Sequence, residues 1–202
     1  MPDTFFKILG GTDPVNQSLG RMTQGIGYPL RDVEPAVSGG DVSVQISTAL
    51  DANSFVDQLP TGLGAALQIT FGDAQTTPEF DLDALGNITC LATDEYTLRG
   101  KFVVGRRGAA AGVAQVYTRL LVNGTPSPIT SHTIIDNPDV ETPYDFEANG
   151  SLTAGDVLTF EIIRDTDGND SGGLYAGIPT VAGWASSPSA RLVLSRFLSV
   201  TP

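Results

Sequence analysis

The chain has 202 residues, with 11 Lys and Arg against 23 Asp and Glu and a formal net charge of −12. That is one domain, or one domain plus an arm, with ample length for a packed core. The charge argues against a nucleic-acid partner, which needs Lys and Arg to neutralise phosphates, because no Lys or Arg lies between Arg31 and Arg99 or between Arg119 and Arg164.

Taken in chain order, residues 1–40 hold no sustained period, and Gly and Pro recur (Gly10, Gly11, Pro14, Gly20, Gly25, Pro29, Pro35, Gly39). Such a segment buries little apolar surface by itself and orders on a partner if it orders at all. From Asp41 the period becomes two: Val42, Val44 and Ile46 alternate with Ser43, Gln45 and Ser47 as in a half-buried strand. Residues 51–64 read as a loop or a short turn of helix, closed by Pro60 and the Gly62/Gly64 pair. Residues 65–71 alternate again (Ala65, Leu67, Ile69, Phe71) before a Gly72-Asp73 turn.

Short strands follow at 79–82 and 87–91. Residues 96–104 show the clearest alternation, with Tyr96, Leu98, Phe102 and Val104 on one face and Thr97, Arg99 and Lys101 on the other. A basic, then Ala/Gly-rich loop spans 105–112. Residues 115–122 form a strand closed by Asn123-Gly124, the strongest short hairpin signal. Weaker strands are expected at 130–135 and 144–148, a strong one at 157–164, a long Gly-rich loop at 165–183 and a closing strand at 191–197. The domain reading is an N-terminal arm over 1–64, extended with one or two short strands, and a β-sandwich over 65–202.

About ten short strands mean a sandwich or a barrel, and periodicity does not choose between them. The landmarks do point somewhere: Phe80-Asp81-Leu82, the turn Leu85-Gly86-Asn87-Ile88, Tyr96-Thr97-Leu98, the Arg119 to Gly124 run, Ala154-Gly155-Asp156-Val157-Leu158 and the strand from Arg191 to Phe197. Their order resembles the trimeric jelly roll of tumour necrosis factor and the complement globular heads. With a polar arm in front it is similar to the versions built into bacteriophage particles. The resemblance implies an all-β jelly-roll β-sandwich, a homotrimer and a virion protein. Candidate residues near the trimer axis are Tyr96, Tyr117, Phe160 and Phe197, each of which could equally belong to the core.

Chemistry-bearing residues are sparse. His132 is the sole histidine, between Ser131 and Asp136, but a catalytic triad needs three groups in mutual hydrogen-bond geometry and no strained nucleophile turn surrounds Ser131. Cys90 is alone, so an internal disulfide is excluded, and it reads as a buried small hydrophobe. One His and one Cys also leave no transition-metal ligand set of the usual kind. Asp165, Asp167, Asn169 and Asp170 alternate around Gly168 as short calcium loops do, yet the twelfth position of such a loop is Ala176, where a bidentate Glu is required. A polar turn accounts for the same composition. Asp81 and Asp83 share one face of a strand, with nothing to place them in a cleft.

The expectation is therefore a non-enzymatic viral structural protein without a cofactor: a capsid decoration or cement protein, assembled in the host cytoplasm and resident on the virion. Its partner would be the major capsid protein or another virion protein. No membrane partner is expected, since no apolar run approaches a spanning length. The alternative is a receptor-binding head- or tail-fibre tip whose loops 105–112 and 165–183 contact the host surface.

Overall fold

The alternation around Tyr96 becomes the central strand of one sheet. Its inward residues Tyr96, Leu98, Phe102 and Val104 are buried, while Glu95, Arg99 and Lys101 face water. The computed structural model describes residues 44–107, 112–165 and 172–199. Twelve strands are present among them: β1 (Val44–Ser54), β2 (Leu67–Gln68), β3 (Gln75–Thr76), β4 (Phe80–Leu82), β5 (Ile88–Cys90), β6 (Asp94–Arg106), β7 (Ala114–Val122), β8 (Thr125–Ile135), β9 (Val140–Leu152), β10 (Val157–Arg164), β11 (Gly173–Leu174) and β12 (Ala190–Ser199).

The first sheet runs β1-β12-β6, with β11 extending the β12 side of β6 and β9 covering its other edge. The second runs β3-β4-β5-β10-β7-β8, with β2 also on β10. Every ladder is antiparallel, and the chain changes sheet between β5 and β6, β6 and β7, β8 and β9, and β9 and β10. Two packed sheets wound in this way are a jelly-roll β-sandwich, the class expected from the sequence.

Both inner faces meet in one core, where Phe71, Phe102, Phe146 and Phe160 form an aromatic cluster with centroid separations of 5.0–6.4 Å. Offset and edge-on contacts of this kind add to the burial of the rings. Gly100 sits opposite Phe146 in the β6–β9 ladder, and a Cβ there would stand 2.0 Å from the Phe146 ring. A glycine in the central strand is thus the space that lets an aromatic on its neighbour lie flat against the sheet.

Several elements depart from expectation. The expected loop at 51–64 begins later, because β1 continues to Ser54 against β12, with Leu50 and Ala52 in the core. One compact unit comprises Val44–Ser199, so the strand and loop of residues 44–64, grouped with the arm on sequence grounds, pack as part of the sandwich. Residues 1–43 lie outside the described residues. At 65–71 only Leu67–Gln68 forms a ladder, although the alternation continues inward through buried Ile69 and Phe71. β9 is far longer than the expected 144–148, since its pairing with β6 runs unbroken from Asp94↔Leu152 to Arg106↔Val140. Its partner, rather than its own hydrophobicity, sets that length.

Candidate functional site

The two ends of the sandwich are built from different chemistry. At one end the chain enters at Val44, and β6 and β10 begin. Tight turns there are held by carboxylates and amides. Asn123 and Gly124 both have positive φ (52° and 73°), as a two-residue hairpin turn with the strands' own twist requires. The Asn123 side chain bridges that turn to the next one, donating to Asp156 and accepting from the Val157 N–H, both at 2.8 Å. Asp156 accepts from the Thr153 N–H at 2.8 Å, and that bond, with the Asn123 amide, holds its carboxyl below the ordinary range. Arg196 pairs with Asp94 beside them.

At the opposite end five loops meet: β1–β2, β6–β7, β8–β9, β10–β11 and β11–β12. Of the large hydrophobic side chains exposed among the described residues, all but Leu85 and Leu91 lie in or beside these loops. Phe55, Val56 and Leu59 come from one loop and Ile178, Val181 and Trp184 from another, with Trp184 76% and Ile178 75% exposed. Scattered exposed apolar residues need no explanation, whereas a concentration at one end marks an interaction surface.

These two loops are stitched to each other and to the body. Gln58 and Leu174 exchange backbone hydrogen bonds of 2.9 and 3.0 Å, and the Ser189 hydroxyl donates to the Val56 carbonyl at 2.6 Å. The buried Gln58 side chain accepts from the Thr70 N–H at 2.8 Å and donates to the Thr70 carbonyl at 3.1 Å. Arg107 gathers three segments: it pairs with Asp57 at 3.0 Å and Glu141 at 2.6 Å, donates to the Ala176 carbonyl at 2.9 Å and lies 4.4 Å over the Tyr175 ring. The Glu141 hydrogen bond, with Asp57 beside it, raises the guanidinium's pKa further, so the clamp stays charged at any working pH.

The loop expected over 165–183 is therefore woven into the sandwich in part. Gly173 and Leu174 pair with β6, and Leu174, Tyr175 and Ala176 are buried. A two-residue strand has no periodicity to read, and the one local signal is Gly173, where a Cβ would come within 2.6 Å of the Leu59 side chain.

The residues singled out from sequence are dispersed. Tyr96 and Phe160 are core: Tyr96 packs edge-on against Phe80, its hydroxyl donates to the Ala92 carbonyl at 2.7 Å, and burial pushes its pKa up to about 12. Tyr117 lies on the outer face of the second sheet, stacked on His132 at 4.3 Å. Phe197 pairs through its backbone with Ile46, and its side chain is outside the described set. Asp165 is exposed, while Asp167, Asn169 and Asp170 lie outside the described residues.

Ser131 points inward to Thr118 while His132 points out, as neighbours on a strand must, so no serine–histidine pair is formed. Cys90 is buried, and burial raises its thiol pKa. Asp81 bonds Thr76, and both Asp83 oxygens are occupied within its own turn, by the Leu85 and Asn87 N–H groups and the Asn87 side chain.

No family model matches the chain, and no curated protein matches it. Among solved structures it is similar to crystal structures of murine APRIL, at pH 5.0 and at pH 8.0, each with 12% identity and a TM-score of 0.44. The matches cover 77% and 76% of this chain and 100% of those chains. The strand order described above defines the class by itself: a jelly-roll β-sandwich whose distinctive surface is one apolar loop end.

Proposed function

We propose that the chain is a structural protein of a bacteriophage particle, a decoration or cement protein that binds the outside of the head as a homotrimer. The observation that supports this best is the opposition of the two ends. The leading 43 residues join the sandwich at Val44, at the end of tight charged turns, while the adhesive surface is at the far end. A tether at one end and a sticky surface at the other suit a body that joins two things mechanically. A segment that folds on its partner can wrap a wide surface, and three linked copies gain from effective concentration. Deleting residues 1–40 is expected to abolish binding to particles in co-sedimentation while leaving a folded trimer. Undiminished binding by the truncated protein rejects the tether.

A second reading is favoured by the apolar end itself: a receptor-binding tip. Both loops expected to contact a host reach this end, and recognition usually sits on loops carried by a rigid scaffold. Under this reading purified protein added to host cells blocks infection. Under the decoration reading infection is unchanged.

A further inference from the structure

The outer face of the second sheet carries a feature that neither reading uses. Rows of outward residues cross β10, β7 and β8: Ile163, Tyr117 and His132 in one, Glu161, Arg119 and Thr130 in the next. With residues 64–66 as a wall, Tyr117, Arg119, Thr130, Glu161 and Ile163 line an open concavity of ≈ 340 Å³. This is within the range of small-ligand sites. The outer face of the first sheet is different, laced with the exposed pairs Arg99–Glu147 and Arg191–Asp51.

We propose that this concavity is a binding site for a neutral pyranose sugar, with the Tyr117 ring as stacking platform and the Arg119–Glu161 pair as the hydroxyl reader. Stacking on His132 fixes the Tyr117 ring, and an aromatic face attracts the weakly positive C–H face of a pyranose. The ion pair is lopsided. Arg119 Nε and Nη2 both approach Glu161 Oε2, at 2.8 and 2.7 Å, and neither Glu161 Oε1 nor Arg119 Nη1 has a hydrogen-bond partner among the described residues. One charged acceptor and one charged donor thus stand side by side, matching two vicinal hydroxyls of which one donates and the other accepts. Because the two charges neutralise each other, the site selects an uncharged sugar. The Tyr117 hydroxyl, also without a partner, adds a third polar point at the rim.

This deepens the recognition reading, on which its biological role rests, but its test does not depend on infection. Isotope-labelled full-length protein is titrated by NMR with the methyl glycosides of glucose, galactose, mannose and N-acetylglucosamine, and with N-acetylneuraminic acid as charged comparison. The expected result is saturable shifts around Tyr117, Thr130 and Glu161 with at least one neutral sugar. Tyr117→Ala weakens binding by about tenfold or more, Glu161→Gln weakens it less, and Tyr117→Phe retains it. An unchanged urea midpoint shows that each variant folds. The proposal is overturned by an absence of saturable shifts with every neutral sugar, by shifts that persist in Tyr117→Ala, or by response to the charged sugar alone. Loss of the trimer in Tyr117→Ala without any sugar response would make this face an oligomer contact instead. A failed infection block with intact sugar binding removes the recognition role and leaves the site.

Discussion

Gly100 shows how one atom's absence organises the core. β6 needs an inward residue at that position by its alternation, and every other inward residue of its apolar run is large. The space is taken by Phe146 from β9, whose ring contacts Phe102 and Phe160. Gly100→Ala would press a methyl into that ring, and overpacking of this kind costs roughly 1–3 kcal/mol. A lowered urea midpoint with unchanged slope is the expected readout, and Phe146→Leu in the same background should recover part of the loss. Equal stability of Gly100→Ala and the parent would mean that β9 does not pack as described. The sequence shows a glycine in a strand here, but nothing in it names the ring on another strand that needs the room.

At the scale of elements, the turns are stabilised by ionised carboxylates, and this sets an acid limit. For Asp83, burial alone would raise the pKa, but the Asn87 side chain and the N–H groups of Asn87, Leu85 and Gly86 outweigh it and hold it below 3.8. Asp94 is lowered by the Glu95 N–H, against burial, and by Arg196, and Asp156 by the Thr153 N–H and Asn123. A carboxyl depressed in the folded state contributes stability that is fully present above its unfolded value and lost as pH falls through the folded one. Thermal stability is therefore expected to be insensitive to these groups from about pH 5 upward and to fall below about pH 4. Asp83→Asn should lower the midpoint at neutral pH and flatten the acid slope. An acid slope identical to the parent's would show that Asp83 is not held ionised by its turn. Turn chemistry of this sort was legible beforehand at Asn123-Gly124, because the dipeptide demands positive φ. It was not legible for Asn123 with Asp156, which meet only once β7 and β10 pair.

For the whole molecule, the apolar end is the feature on which function turns. Exposed Trp184 and Ile178 contribute little to a core, so Trp184→Ser with Ile178→Ser is expected to leave the urea midpoint nearly unchanged, as surface substitutions usually do. If this end recognises a host, the same double variant should lose the ability to block infection while still binding particles. If it instead faces the shell, particle binding should fall. A variant indistinguishable from the parent in both assays would remove this surface from either role.

What the sequence determined by itself is the class of the fold and the places where the chain turns. Period-two alternation and turn dipeptides are local, and they were enough for the strands at 96–104, 115–122 and 157–164. It also indicated, through the isolation of Cys90 and His132, that chemistry would be hard to assemble. Only the tertiary structure decided what stands together. Loops 130 residues apart in the chain become one surface through the Arg107 clamp and the Gln58–Leu174 bridge, and Tyr117 gains Arg119, Glu161 and Ile163 as neighbours through cross-strand register. Register is a property of pairing, and pairing is selected by the burial of two faces at once, which no single stretch of sequence carries.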